Sequence, residues 1–314
     1  MPERLIAQLE HNLGPVIMQA LSDPKVVEVM LNPDSTLWVE RMGQPMQCVG
    51  HICPNQARVV LSVMASFLNT VVTPENPIVE GELPIDGSRF EGLLPPVVAG
   101  PSFTIRKKAS RIFTLEQYVE SEVMAKEVKE MLLDAIANCK NILVVGGTGS
   151  GKTTLVNGII DGISELCPED RLVIIEDTSE LQSRSENTVF LRTSPYVTIQ
   201  HLVRVTMRLR PDRILVGEVR GGEALDLLKS WNTGHPGGVA TVHANSAAGG
   251  LIRLEQLIAE ASMSPMQTLI GEAVNLVLYI ERAPGKGRVV KQLLQVQGFN
   301  PKKLTYELET LYNV

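Results

Sequence analysis

Beyond residue 140 the chain repeats one pattern. Short unbroken apolar runs alternate with longer stretches in which apolar residues recur every three or four positions. The runs are NILVVGG, RLVIIED, RILVGEV and GVATVHA, and the amphipathic stretches follow Gly151, Thr198 and Gly221. Runs with no polar alternation predict strands covered on both faces, and the intervening periodicity predicts helices, so this region reads as a largely parallel sheet. Two further helices are expected after GVATVHA. LVLYIERA, VVKQLLQVQGF and LTYELETLY then read as antiparallel strands.

The first third is different. Arg4 to Leu21 has helical spacing, and VVEVML and TLWVERMG are β-rich runs separated by the turn Asn32-Pro33-Asp34. Asn55 to Asn69 reads as an amphipathic helix, and IVEGELP, RFEGLLP and SFTIRKK as strands punctuated by Pro and Gly. Thr114 opens a capping-box pattern, T-L-E-Q, ahead of a helical region running to about Asn138. With the boundary at the basic stretch Lys107 to Arg111, the expected organisation is an N-terminal mixed α/β domain over 1–108, a linker over 109–118 and an α/β domain over 119–314.

Composition narrows the function classes. The 314 residues are 44% hydrophobic and 20% charged with net charge −6, ordinary for a globular chain with a sizeable core and unlike a basic nucleic-acid binder. Cys48, Cys53, Cys139 and Cys167 are too scattered for a zinc ribbon and read as free thiols. The N-terminus lacks the apolar core of a signal peptide, and no apolar run approaches the ~18 residues of a membrane span. A cytosolic protein, reaching membranes only through partners, is expected.

Four stretches carry chemistry. GGTGSGKTT, Gly146 to Thr154, fits G-x-x-x-x-G-K-[ST] between a strand and a helix. Its residues Gly146, Gly147, Thr148, Gly149, Ser150, Gly151, Lys152, Thr153 and Thr154 are expected to wrap a nucleotide's phosphates. Backbone N–H groups and the helix N-terminus would face the phosphate oxygens. Lys152 is expected to reach the β- and γ-phosphates, and the Thr153 hydroxyl to ligate Mg²⁺. In IIEDTSEL, Glu176 and Asp177 end an apolar strand, where a carboxylate can orient an attacking water or hold a metal's water shell. In RLRPDRILVGEVRGGEA, Glu218 ends the next strand, while Gly217 stands where an Asp is commonly found. Arg208, Arg210 and Arg220 flank it, and Arg208 is taken as a candidate for neutralising phosphoryl charge, in its own chain or a neighbour's. In GHPGGVATVHAN, His243 is read as a γ-phosphate sensor in preference to a metal ligand or a satisfied core histidine, and His235 as a loop-shaping residue.

In this order GGTGSGKTT, IIEDTSEL, RLRPDRILVGEVRGGEA and TGHPGGVATVHANS resemble the Walker A, Asp-box, Walker B and His-box motifs of the secretion and conjugation traffic ATPases. DGSRFEGLLPP and SFTIRKK are similar to that family's first domain. The resemblance implies a RecA-like P-loop domain, a ring of six subunits, and nucleotide held between the two domains. It implies ATP hydrolysis with Mg²⁺ that powers pilus assembly or transfer of DNA or protein beside inner-membrane partners, at the cytosolic face. It makes Glu176 the water-activating acid, Glu218 the metal-shell acid, and Arg89 and Arg106 phosphate-facing arginines of the first domain. The chain lacks the tetracysteine module of many secretion-type relatives, which favours the shorter conjugation and pilus-retraction branches. A type IV pilus motor is the alternative. A DNA-translocating helicase is a further one from another class, disfavoured by the acidic balance, and no specific nucleic acid is expected as partner.

Overall fold

The computed structural model describes residues 2–108, 112–194, 196–283, 285 and 287–314. The chain divides after Ser110 into two compact units, Met1–Ser110 and Arg111–Val314.

The first unit runs α1 (Pro2–Ser22), β1 (Val26–Leu31), β2 (Thr36–Arg41), β3 (Gln47–His51), α2 (Pro54–Phe67), β4 (Ile78–Glu82), β5 (Arg89–Leu93) and β6 (Ser102–Arg106). The six strands form one sheet in the order β3-β2-β1-β6-β5-β4, with antiparallel pairing throughout. α1 and α2 supply Leu9, Leu13, Ile17, Val60, Leu61 and Met64 to a core shared with Val29, Leu37, Phe90 and Ile105. In the period-2 alternation of β5, Phe90 and Gly92 are buried, while the other face carries half-buried Arg89 and Glu91 beside Leu93. Across that face the register aligns Glu82, Arg89, Arg106, Glu28 and Glu40, one from each of five neighbouring strands. β3 was not legible from the sequence. It is a sheet-edge strand with no buried residue, so it carries no hydrophobic alternation.

The second unit runs α3 (Leu115–Glu120), α4 (Lys126–Ala137), β7 (Ile142–Val145), α5 (Lys152–Leu166), β8 (Leu172–Glu176), β9 (Thr188–Arg192), α6 (Ile199–Thr206), β10 (Arg213–Val216), α7 (Glu223–Asn232), β11 (Val239–Val242), α8 (Ala247–Ala259), α9 (Gln267–Ala273), β12 (Leu276–Ala283), β13 (Gly287–Asn300) and β14 (Thr305–Asn313). Its sheet has the order β14-β13-β12-β7-β11-β10-β8-β9. The pairs from β12 to β9 are parallel, and β13 and β14 join as antiparallel strands. Every residue of β7, β8, β10 and β11 is buried. One face is covered by α3, α4 and α5 and the other by α6 to α9, which is why these strands read as continuous apolar runs.

Two expectations are modified. The helical region from Thr114 is two helices, because Glu122 takes a left-handed φ of 56° and ends the first. Thr114 does form the capping box with Gln117. Part of the expected linker is thus core, since Leu115 and Tyr118 pack with Val128, Leu132 and Ile159. Its residues 109–111, at the end of the basic stretch, lie outside the described residues. β9, a second edge strand unseen in the sequence, extends the sheet beyond β8.

Candidate functional site

The strand order brings the four motifs to one edge of the second unit. β7, β8, β10 and β11 are parallel, so the residues following each emerge together at the C-terminal ends, where α/β proteins build their sites.

Gly146 to Gly151 form the loop from β7 into α5. Gly149 and Gly151 have φ of 69° and 96°, backbone that residues with a Cβ rarely adopt, and Gly151 is the N-cap of α5. Lys152, Thr153 and Thr154 make the helix's first turn, whose N–H groups have no intrahelical acceptor. Ser150 Oγ is buried in the loop without a hydrogen-bond partner among the described residues. A turn of N–H groups with an unpaired hydroxyl and a buried lysine suits a polyphosphate.

The Lys152 ammonium donates to the carbonyls of Gly146 and Gly147, each at 2.9 Å, and lies 3.2 Å from His243 Nδ1. His243 follows β11, and its Nε2 is 2.7 Å from Glu218 Oε1. A carboxylate only accepts, so Nε2 carries the ring proton and Nδ1 accepts from Lys152. Partial burial first, then the Lys152 charge, holds the His243 pKa below its ordinary value, which keeps the ring neutral. Glu218 Oε2 accepts from Arg220 Nη2 at 2.6 Å, and Arg220 Nη1 reaches Asp177 Oδ2 at 3.4 Å. Burial pushes the Glu218 pKa up, but Arg220, His243 and Lys152 outweigh it and the net direction is downward. One polar chain thus joins the phosphate loop to the other three motifs: Lys152, His243, Glu218, Arg220, Asp177.

Glu176 is 5% exposed at the end of β8. Its Oε1 accepts the N–H groups of Glu180 and Leu181 at 3.0 and 2.8 Å, which sets the carboxylate's direction. Asn157 of α5 holds the same loop, donating to the Glu180 carbonyl and accepting from Gln182 N–H. Gly217, where an Asp is commonly found, lies beside Glu176. A Cβ on Gly217 would fall 3.3 Å from Glu176 Cγ, a tight contact that packs this position closely against the acid.

Within the second unit, Arg208, Arg210 and His235 lie at the other edge of the sheet. Arg208 is exposed in the turn between α6 and β10, at the N-terminal end of β10 and so on the opposite edge of the sheet from Lys152. Arg210 shares that turn. His235 precedes β11 at the same far edge, with Nδ1 buried and unpaired among the described residues. Arg89 and Arg106 are direct cross-strand partners in the first unit, and Arg106 also pairs with Glu28 at 3.5 Å. Of the three arginines around β10, the structure brings only Arg220 into the polar chain. Its position after the strand was the available signal, whereas Asn157 carried none.

A parallel sheet with helices on both faces and a G-x-x-x-x-G-K-T loop at its C-terminal edge defines a RecA-like P-loop nucleotide-binding protein. The family described as Type II/IV secretion system protein matches residues 10–288. The chain is 53% identical over 296 residues to conjugal transfer protein TrbB of Rhizobium radiobacter, covering 94% of this chain and 91% of that protein. It is 33% identical over 305 residues to type IV secretion system protein PtlH of Bordetella pertussis, covering 85% and 88%. Among solved structures, the pilus retraction motor PilT with bound ADP superposes with a TM-score of 0.64 at 18% identity, covering 94% of this chain and 82% of that one, a likeness of fold. The chain belongs to the Type II/IV secretion system protein family, the secretion and conjugation ATPases. Among the described residues no helix is long and apolar enough to cross a membrane.

Proposed function

We propose that this chain hydrolyses ATP to ADP and phosphate and, as a ring of six copies, couples hydrolysis to pilus assembly or to DNA or protein transfer. Its partners in this reading are inner-membrane components of a conjugation or type IV secretion machine, met at the cytosolic face. The observation that carries the reading is the hydrogen-bonded chain from Lys152 through His243 and Glu218 to Arg220 and Asp177. A loop that only bound nucleotide would not need its lysine wired to three other motifs.

In this proposal the loop's N–H groups and Lys152 bind the phosphates, and Glu176 orients the attacking water and takes up its proton. The Thr153 hydroxyl and the Glu218 carboxylate are hard oxygen donors of the kind Mg²⁺ takes. Both Glu218 oxygens already accept bonds from His243 and Arg220, so this acid would hold the ion through water. Mg²⁺ when bound neutralises charge that builds on the phosphate oxygens. Neutral His243, one bond from Lys152, reads the presence of the γ-phosphate. Arg89 and Arg106 stay in the proposal as phosphate-facing arginines, and Arg208 as one that would act on a neighbouring subunit's nucleotide.

Lys152→Ala tests the reading. Turnover of ATP should fall at least about a hundredfold, because the ammonium stabilises charge where it develops. A folded variant hydrolysing ATP at the wild-type rate would remove the proposal. Hydrolysis stimulated strongly by DNA alone would point instead to a helicase.

A further inference from the structure

The hairpin of β12 and β13 places two arginines beside the phosphate loop, and neither belongs to the four motifs. Tyr279 of β12 pairs with Val145, the last residue of β7, so residues 280–283 run on alongside the loop. Arg282 and Arg288 are direct partners in the antiparallel register, hence on one face of the hairpin. Like charges in that relation repel each other. Both are exposed, and neither makes a hydrogen bond or ion pair with another described residue. The neighbouring acid, Glu281, is engaged by the Tyr279 hydroxyl at 2.9 Å and by Lys291 at 3.6 Å. The Arg288 side chain lies against the N-cap of α5, for a Cβ on Gly151 would fall 2.7 Å from its Cδ and 3.1 Å from its Nε.

We propose that Arg288, with Arg282 beside it, is a further nucleotide-binding residue that grips the α- and β-phosphates from the hairpin side. This rests on the reading of the loop as an ATP site. The strand order decides which phosphates. β11, β10 and β8, which carry His243, Glu218 and Glu176, lie on one side of β7, and β12 and β13 lie on the other. The γ-phosphate belongs with Lys152 and the acids, and the loop amides cradle the phosphates nearer the nucleoside. A guanidinium over Gly151 therefore faces the part of the ligand that ATP and ADP share. Bound phosphate would also relieve the repulsion between the two arginines, which no carboxylate of the hairpin offsets.

The test is titration of the full chain with fluorescent ADP and with a non-hydrolysable ATP analogue at fixed salt. Wild type is compared with Arg288→Ala, Arg288→Lys and the double variant Arg282→Ala/Arg288→Ala. Arg288→Ala should weaken both ligands alike by about tenfold, the effect of one charge-assisted hydrogen bond. Arg288→Lys should recover part of the loss, the double variant should lose more, and the nucleotide-free melting temperature of the alanine variants should not fall, since the repulsion between the two arginines is gone. Binding by Arg288→Ala within about twofold of wild type for both ligands would overturn the inference. So would a loss confined to the ATP analogue, which would move the contact to the γ-phosphate. Failure of the wild type to bind either ligand would overturn the ATP-site reading itself, a distinguishable result.

Discussion

Glu218→Gln is the sharpest test of the polar chain because the substitution keeps shape and removes one acceptor. Glu218 accepts from Arg220 Nη2 at 2.6 Å and from His243 Nε2 at 2.7 Å. Glutamine offers one oxygen and one amide NH₂. Arg220 has only donors, so the amide oxygen must turn to it and the NH₂ must face His243. The ring then has to accept on Nε2 and carry its proton on Nδ1, which sits 3.2 Å from the Lys152 ammonium. Two donors meet there, and one charge-assisted bond is lost, worth about 1.5–3 kcal/mol. That corresponds to about one to two orders of magnitude in rate if the lost interaction is made at the transition state. The assay is steady-state hydrolysis at saturating ATP across a Mg²⁺ titration. The turnover number should fall by that factor and the apparent Mg²⁺ requirement should rise. ATP-analogue affinity should change little, because the loop's backbone N–H groups keep their places and Lys152 keeps its charge. A folded variant with kcat within about threefold of wild type and an unchanged Mg²⁺ profile would refute the reasoning.

Glu176→Gln should preserve nucleotide affinity yet slow hydrolysis by about a hundredfold or more, since an amide cannot take up the water's proton. Normal turnover there beside an inactive Glu218→Gln would exchange the two acids' roles. His243 predicts a pH effect. Its folded pKa lies below the ordinary value of 6.5, so as pH falls through that value the unfolded chain binds a proton that the folded site resists. Wild-type stability should therefore decline between about pH 7.5 and 5.5, and His243→Gln should lack that component of the slope. Equal melting-temperature slopes in the two proteins would exclude a neutral histidine in the site. The same variant should bind ATP analogue and ADP with a ratio closer to one, measured by titration. An unchanged ratio would end its role as a γ-phosphate sensor.

Much of this was contained in the order of residues. The phosphate loop is contiguous, so the sequence alone specified its glycines, its lysine and the strand and helix on either side. Continuous apolar runs determined a buried parallel sheet, since a strand covered on both faces admits no polar alternation. Parallel strands in turn require that Glu176, Glu218 and His243 share one edge. The sequence did not contain the lateral order of the strands, which depends on long-range pairing. That order separates the acids of β8, β10 and β11 from the β12–β13 hairpin. It also carries Arg288, 137 residues after Gly151 in the chain, onto the phosphate loop. Choosing among the arginines needed it too. Arg208 and Arg220 flank one short run and look equivalent in spacing, but a strand has two ends, and only the one after Val216 faces Lys152. The short edge strands β3 and β9 escaped notice because an edge that buries little needs no hydrophobic pattern. Sequence is decisive where neighbours along the chain make the chemistry. Tertiary structure decides wherever charge must meet charge across a sheet.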